Sequence, residues 1–365
     1  MISVILFREL RFMTARTNSG RHLKLPDAAK KPKHRKLIIT LSVVLGAVLV
    51  ITASAFGVLK NGELRLRKRS DGKKAQLPVS DSDTFPEDAD VYYRGEAYNY
   101  NDKLINILII GVDRNKPGNN EKHQADALYL VSLDTNADKA NIIAISRNTM
   151  AYVDSYDING DYFATSKQQI CLAYTYSDDE RKASENTVKA VSKLLYDLPI
   201  NGYYTIYMNA VSELVDAVDG VPVHIDEDMT RADYRFKNGA DVVIKGSNAL
   251  KYLRFRNELN APRFERQKAF VSSFVSQAKA ATLKDLTLPA KMYGRLASNT
   301  LTNVDATSAA YLASEAASAS YSIRGVEGAV GSDGTYETLE VDENKLFDLS
   351  LDAFYKKQNL KGKSS

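Results

Sequence analysis

Arginines gathered in two distant stretches, with two aspartates near the first of them, give this chain the means to grip a pyrophosphate. The first stretch runs from Gly111, Val112 and Asp113 to Ile145, Ser146 and Arg147. The second holds Arg254, Phe255 and Arg256, then Arg263, Phe264, Glu265, Arg266 and Gln267. Guanidinium groups present planar, paired donors that match phosphate oxygens better than the point charge of lysine. Arg254 and Arg256 flank Phe255, so in an extended segment both would share one face while Phe255 packs inward. Arg263, Arg266 and Gln267 are three and four positions apart, which on a helix makes Arg263 a neighbour of both. A helix start also attracts phosphate through its free N–H groups. A solvated basic helix start is the alternative, although cations there oppose the helix dipole unless an anion is near.

The carboxylates need a sheet to bring them together. Asp113 follows the apolar run Ile105 to Gly111, Asp126 precedes the run Ala127 to Leu133, and Asn141 to Ile145 ends just before Arg147. Read as adjacent strands, these runs put Asp113 and Asp126 at one sheet edge, where open α/β sheets bind ligands. Arg147 joins them there if the strands run parallel. Two carboxylates plus phosphate oxygens suit Mg²⁺, which keeps several waters and needs few protein ligands. The same spacing also describes two surface aspartates and a strand-end arginine in an ordinary ion pair.

Downstream, the pattern predicts a helix at 184–195, a strand at 203–207, a helix at 209–218 closed by Gly220 and a strand at 221–225. This α/β alternation implies a mostly buried sheet. Ser247 opens a capped helix. Phe264, Phe270, Val271, Phe274, Val275 and Ala278 recur at helical spacing within a helix over 263–281. An Ala/Ser-rich helix over 305–320, two short strands and a last helix over 344–355 complete the chain.

Composition narrows the class. Lysine and arginine number 49 against 45 acidic residues, a net charge of +4 spread over 365 residues, so the chain is not a nucleic-acid binder by composition. A single cysteine, Cys171, excludes an intramolecular disulfide framework, and its apolar flanks fit ordinary packing rather than a reactive thiol. His224 sits in an alternating stretch as a strand residue with no visible ligand partner, and the few histidines make a zinc site improbable.

Residues 37–59 carry no charge and are long enough to cross a hydrocarbon layer of roughly 30 Å as a helix. This predicts a transmembrane anchor after a cytoplasmic basic tail at 1–36. A cleaved secretory signal is the competing reading, since Ala53, Ser54 and Ala55 resemble a cleavage site. Basic residues flank the apolar run on both sides, so the positive-inside rule does not set the topology by itself. Sparse cysteine and a long C-terminal part favour an exported domain of a Gram-positive-type cell, single-pass, with the N-terminus cytoplasmic. The basic stretch after the span could then rest on anionic lipid head groups. Residues 60–102, basic and then rich in Ser, Asp and Pro, read as an extracellular linker. The folded domain covers 103–357, with a tail at 358–365.

Gly111 to Asp113, Ala125 to Ser132, Ile145 to Thr149, Ala249 to Arg256 and Arg263 to Gln267 together resemble the LytR-CpsA-Psr family of cell-wall glycopolymer ligases, over roughly 103–281. The resemblance implies an α/β fold, a central mixed β-sheet flanked by helices on both faces, behind the N-terminal transmembrane helix. It implies a polyprenyl-pyrophosphate-linked glycan held with its lipid in an apolar tunnel between sheet and helices. A Mg²⁺-dependent phosphotransferase of this type moves the phospho-glycan, such as teichoic acid or capsule, to a peptidoglycan acceptor and releases polyprenyl phosphate. Carried over by resemblance, Asp113 and Asp126 would bind Mg²⁺, or Mn²⁺ in its place. Arg147, Arg254, Arg256, Arg263, Arg266 and Gln267 would hold the pyrophosphate, with Asp113 and Arg147 catalytic. Two departures stand out: Asn148 and Asn260 occupy positions where the family pattern has aspartates, which removes two candidate general bases. A non-catalytic receptor for polyprenyl (pyro)phosphate that regulates envelope synthesis, and a lipid pyrophosphatase, are therefore the rival readings.

Overall fold

The described residues open on a helix, α1 (57–68), whose Leu66 is fully buried. The computed structural model describes residues 57–78, 89–113, 123–157, 159–255, 261–332, 334 and 336–358, with backbone only at 261–262. The anchor expected at 37–59 lies outside these residues except for its last three, as do the basic tail, Arg256, Asn260 and positions 359–365. Among the described residues no helix is long and apolar enough to cross a membrane.

After α1 come the short strands β1 (Val91–Tyr93) and β2 (Glu96–Tyr100), then β3 (Leu104–Val112), β4 (Ala125–Asp134) and β5 (Lys139–Ile145). A hairpin, β6 (Met150–Tyr156) and β7 (Tyr162–Gln169), leads through a 3₁₀ turn at Ile170–Tyr176 into α2 (Glu180–Leu194). Next are β8 (Gly202–Tyr207), α3 (Met208–Ala217), β9 (Val221–His224), β10 (Asp241–Ile244), α4 (Asn248–Arg254), α5 (Ala261–Lys284) and α6 (Leu288–Leu296). The chain ends with β11 (Thr300–Thr302), α7 (Ala306–Ser318), β12 (Ser320–Gly325), β13 (Gly328–Ser332), β14 (Glu337–Val341), α8 (Glu343–Phe354) and β15 (Tyr355–Lys357). Asp179, Asp305 and Asp342 precede α2, α7 and α8, and each side chain accepts hydrogen bonds from two first-turn N–H groups. Gly220 ends the turn after α3 at φ +96°, where a Cβ would lie 3.0 Å from the Ile244 carbonyl oxygen.

The central sheet has the order β11-β8-β3-β4-β5-β12 and is mixed. β3–β4, β4–β5 and β8–β11 are antiparallel, while β3–β8 and β5–β12 are parallel. The first three strands therefore form a meander rather than the parallel set that sequence spacing left open. β3 and β5 still run in the same direction, so their ends share an edge with the start of β4. Along β3 the side chains alternate. Leu108, Ile110 and Val112 join the main core with α2 and α8, whereas Ile105 and Ile107 face a second cluster containing Leu66 of α1 and Tyr311 of α7. A third cluster joins α3, α4 and α5 to β9 and β10.

The stretch 60–102 differs from the expected linker: its described parts are folded. Ala75, Leu77 and Val91 are buried in the main core, and β2 pairs with β15 at the far end of the chain. β1 pairs with β2, and β2 is completed on its other side by that distant strand, which no local pattern reveals. Two of the arginines there hold the fold together: Arg67 donates to Glu63, Thr135 and the Asp102 carbonyl. Arg69 donates to the carbonyls of Asn201 and Asn303. The two strands expected after α7 are three, because β12 joins the central sheet and β13–β14 make a separate hairpin.

Asn201, 1% exposed, ties α1 to the sheet. Its side chain accepts from the Asn106 N–H at 2.7 Å and donates to the Leu66 carbonyl at 3.0 Å and the Ser70 hydroxyl at 2.8 Å. Each buried polar group left unpaired costs ~1–3 kcal/mol, so Asn201→Ala should lower unfolding free energy by about 2 kcal/mol or more. Urea titration measures this, and a loss below about 0.5 kcal/mol, the scatter of ordinary surface changes, would contradict the assignment.

Candidate functional site

The β3–β4 ladder is interrupted where chemistry is expected. Gly111 pairs with Ala127 and Val112 with Ala125, so Asp126 is the extra residue of a β-bulge. Bulges bend a strand and re-aim its side chains. Here Asp126 points to the sheet edge and pairs with Arg147, which follows β5; Arg147 also donates to the Gln124 side chain. Its guanidinium lies 3.8 Å from the Cys171 sulfur. Cys171 is buried, which pushes its thiol pKa up despite Arg147, in keeping with a packing role.

Asp113, just past β3, pairs with Arg254. Arg254 is the last residue of α4 and not part of an extended segment as the sequence suggested. Ala249 and Tyr252 are buried on one side of that helix, and this keeps the chain helical through Arg254. Ser247 precedes α4 without a side-chain cap. Phe255 leaves the helix at ψ 133° and packs inward, 8% exposed, as anticipated.

Arg263 and Gln267 lie one turn apart on α5, and both line the two cavities that meet at this edge. Gln267 donates to the Leu253 carbonyl at 3.2 Å, fixing the start of α5 against the end of α4. Arg266 departs from its expected place beside the pyrophosphate. It is buried, it bonds the carbonyls of Tyr252 and Phe255, it pairs with Glu227, and it lies on neither cavity wall. Arg266 stands only about 60° around the helix axis from Arg263, so helical phase alone does not separate them; the carbonyls of Tyr252 and Phe255, with Glu227, take Arg266 on its side of the helix. Burial pulls its pKa below the usual arginine value, with Glu227 opposing.

One cavity, about 590 Å³, lies between the sheet and α3, α4 and α5. Its walls are Ile109, Tyr129, Val131, Ile142 and Ile206 from strands, Val211 and Leu214 from α3, and Phe270, Val271, Phe274 and Val275 from α5. Asp113, Asp126, Arg254, Arg263 and Gln267 stand among its lining residues. Gly111 and Ala127 keep the sheet floor low there, because a Cβ on Gly111 would come 3.0 Å from that of Ala127. The α5 residues were legible as one helical face; the strand and α3 residues were not, because any buried sheet shows them.

The second cavity, about 790 Å³, shares Asp126, Tyr129, Arg263 and Gln267 with the first. Arg147, Asn148, Gln169, Glu265, Glu327, Tyr336 and Glu337 also line it. Sequence reading singled out Arg147 and Asn148 and missed the rest of this wall. It depends on the β13–β14 hairpin being held to the β6–β7 hairpin, through the Thr149–Leu339 bridge, the Lys167–Glu340 pair at 2.7 Å and the Gln169 amide on the Glu337 carbonyl at 2.8 Å. Between the cavities, burial pushes the Tyr129 phenol pKa up, so this hydroxyl stays protonated. Among the described residues no cluster of three or more His, Cys, Asp or Glu forms a metal cage. Among the described residues two carboxylates line the first cavity, Asp113 and Asp126, each in an arginine pair. His224 is a strand residue as expected and bonds Asp241 across β9–β10 at 2.8 Å, away from both cavities.

Comparison with known proteins agrees with this architecture. A polyisoprenyl-teichoic acid–peptidoglycan teichoic acid transferase TagU from Bacillus cereus is 28% identical over 203 residues, covering 55% of this chain and 60% of that protein. One from Enterococcus faecalis is 24% identical over 240 residues, 65% of this chain and 70% of that protein. The chain thus spans about three fifths of the Bacillus relative it matches. Among solved structures, one described as TagT bound to LIIa-WTA superposes with a TM-score of 0.54 at 18% identity, over 77% of this chain and 95% of that one. Bacillus subtilis TagV superposes with a TM-score of 0.54 at 21% identity, over 69% and 97%. These structures share the fold: an α/β arrangement with a central mixed sheet. With residues 68–350 matching the sequence model of the LytR_cpsA_psr family, a span that includes the bulge, both arginine pairs and both cavities, the chain belongs to that family.

Proposed function

We propose that this protein transfers a phospho-glycopolymer from a polyprenyl-pyrophosphate carrier to peptidoglycan, at the external face of a membrane that holds it by its N-terminal span. The observation that carries this reading is one amphiphilic site: an apolar cavity of about 590 Å³ with arginines and carboxylates among its lining residues. A cavity in the roughly 300–1,000 Å³ range suits a sizeable organic ligand. This one suits a molecule with a hydrocarbon tail and an anionic head. Each buried CH₂ group contributes ≈ 0.8 kcal/mol, so the tail supplies affinity while the arginines fix the register. The names of the TagU relatives and the TagT structure's bound molecule support a teichoic-acid-like glycan as cargo.

In this reading Arg147, Arg254 and Arg263, with the Gln267 amide, hold the pyrophosphate oxygens and offset the charge that gathers on them during transfer. The acceptor hydroxyl attacks the phosphorus bonded to the glycan; a new P–O bond forms, the P–O–P bond breaks, and polyprenyl phosphate leaves. Asp113, about half exposed, is the carboxylate best reached by an acceptor from solvent and takes the hydroxyl proton. Asp113 and Asp126 fit Mg²⁺, or Mn²⁺, as a two-carboxylate set completed by phosphate oxygens and water, and the ion when bound would supply further charge neutralisation. The second cavity, with amide, carboxylate and tyrosine side chains, is where glycan would lie. Asn148 on its wall favours a second reading, a receptor that binds the lipid pyrophosphate without turnover, because an amide there cannot accept the acceptor's proton.

Incubating the full-length protein with lipid-pyrophosphate glycan, Mg²⁺ and a peptidoglycan oligomer should give a joined product. Free glycan phosphate would instead identify a hydrolase, and absence of any product the receptor. Arg147→Ala and Arg254→Ala should each weaken binding of the lipid pyrophosphate by about 1.5–3 kcal/mol, the usual contribution of hydrogen bonds to a charged group. Exposure of Arg254 places it at the lower end. Titration calorimetry reads this, and unchanged affinity in both variants counts against the site. Arg266→Ala should behave oppositely: its loss removes the guanidinium that pairs with Glu227 and caps two carbonyls, and should lower stability by about 2–4 kcal/mol, somewhat under the range for a buried pair because Glu227 is partly exposed. The fraction that stays folded should bind the lipid normally, and a stability change below about 1 kcal/mol would sink this assignment.

A further inference from the structure

We infer that the corner between α5 and α6 is a bilayer-contacting edge, seated on an anionic lipid surface at the far end of the lipid cavity from the arginines. Leu283 is 72% and Leu286 80% exposed, and they stand three residues apart at this corner, an arrangement that is costly in water and common in proteins that dip into lipid. Over residues 279–296 the cations are Lys279, which donates to the Ala319 carbonyl at 2.6 Å, Lys284, Lys291 and Arg295, and the sole carboxylate of that stretch, Asp285, is paired with Lys291 at 2.7 Å. Apolar side chains rimmed by lysine and arginine fit the interfacial zone of an anionic membrane, where long basic side chains reach up to the phosphate layer.

The position of the corner adds a second, independent argument. α5 runs from Arg263 at the charged end of the cavity, past its wall residues Phe270, Val271, Phe274 and Val275, to Leu283. At ~1.5 Å per residue the corner lies about 30 Å from Arg263 along the helix and about 12 Å beyond Val275. α6 packs against α3 and α5, two of the three helices that wall the cavity. A tail too long for the cavity would therefore emerge beside this corner, where a membrane would receive it. The exposed pair Tyr162 and Phe163 at the tip of the β6–β7 hairpin is comparable in apolar area, but Asp157 and Asp161 adjoin it and would be repelled by anionic lipid. Charge thus separates the two exposed apolar tips.

This inference rests on the membrane-anchored reading above. Because Cys171 is the single native thiol and is buried, a surface cysteine takes a dye selectively. Full-length protein carrying Leu283→Cys, Leu286→Cys or, for contrast, Phe163→Cys would be labelled with an environment-sensitive fluorophore. Each would then be reconstituted into vesicles of phosphatidylcholine with phosphatidylglycerol. The account expects emission at 283 and 286 to shift to shorter wavelength and to be quenched by doxyl-labelled lipid, with the label at 163 unaffected. It expects the shift to shrink in pure phosphatidylcholine. Labels at 283 and 286 that stay water-like on vesicles with which the protein co-floats overturn the corner alone. A protein that does not co-float overturns the anchored reading as well.

Discussion

The Asp126–Arg147 pair is the interaction on which the rest of the site depends. It exists because β3, β4 and β5 form an antiparallel meander and because a bulge releases Asp126 from the ladder, so that the start of β4 meets the end of β5. Asp113–Arg254 repeats the device between the end of β3 and the end of α4. The two pairs differ in strength. Asp126 and Arg147 are about one fifth exposed, whereas Asp113 and Arg254 are near half. An exposed pair contributes only ~0–1 kcal/mol, so Arg254 can leave Asp113 for a phosphate oxygen at little cost. Arg147, held also by Gln124 and packed near Cys171, is the more rigid of the two. The carboxylates thus keep the arginines oriented toward the edge, and in the proposed reaction an incoming pyrophosphate would compete with them for donors that already point the right way.

Much of this was legible in the sequence, for identifiable reasons. Apolar runs ending at Gly111, beginning after Asp126 and ending at Ile145 announced adjacent strands, and any pairing of the first with the third in one direction brings Asp113, Asp126 and Arg147 to one edge. Helical spacing from Phe264 to Ala278 announced the long helix and its cavity face. Strand direction was not legible, because a buried antiparallel strand and a buried parallel strand carry the same continuous apolar residues. Neither was the fate of Arg266. Two arginines on one helix start look alike until the carbonyls of Tyr252 and Phe255 select one of them as structural. The folded character of residues 60–102 escaped because its strands are short and their partner, β15, is more than two hundred residues away in the chain.

The second cavity shows the same limit from the other side. Its walls come from β4, the end of β5, α5, β12 to β14 and Gln169, and the β13–β14 part is held in place through hairpin-to-hairpin contacts. No spacing in the chain predicts that Tyr336 and Arg147 border one space. Yet the two cavities share Asp126, Tyr129, Arg263 and Gln267, and this shared wall gives the proposed reaction its geometry: hydrocarbon on one side, glycan on the other, phosphates between.

That division is the central claim, and a crystal structure with a bound polyprenyl pyrophosphate tests it most directly. The account predicts hydrocarbon density along Phe270, Val271, Phe274 and Val275, with phosphate density between Arg147, Arg254 and Arg263. A tail lying outside the cavity, or phosphates bound away from these arginines, would contradict it.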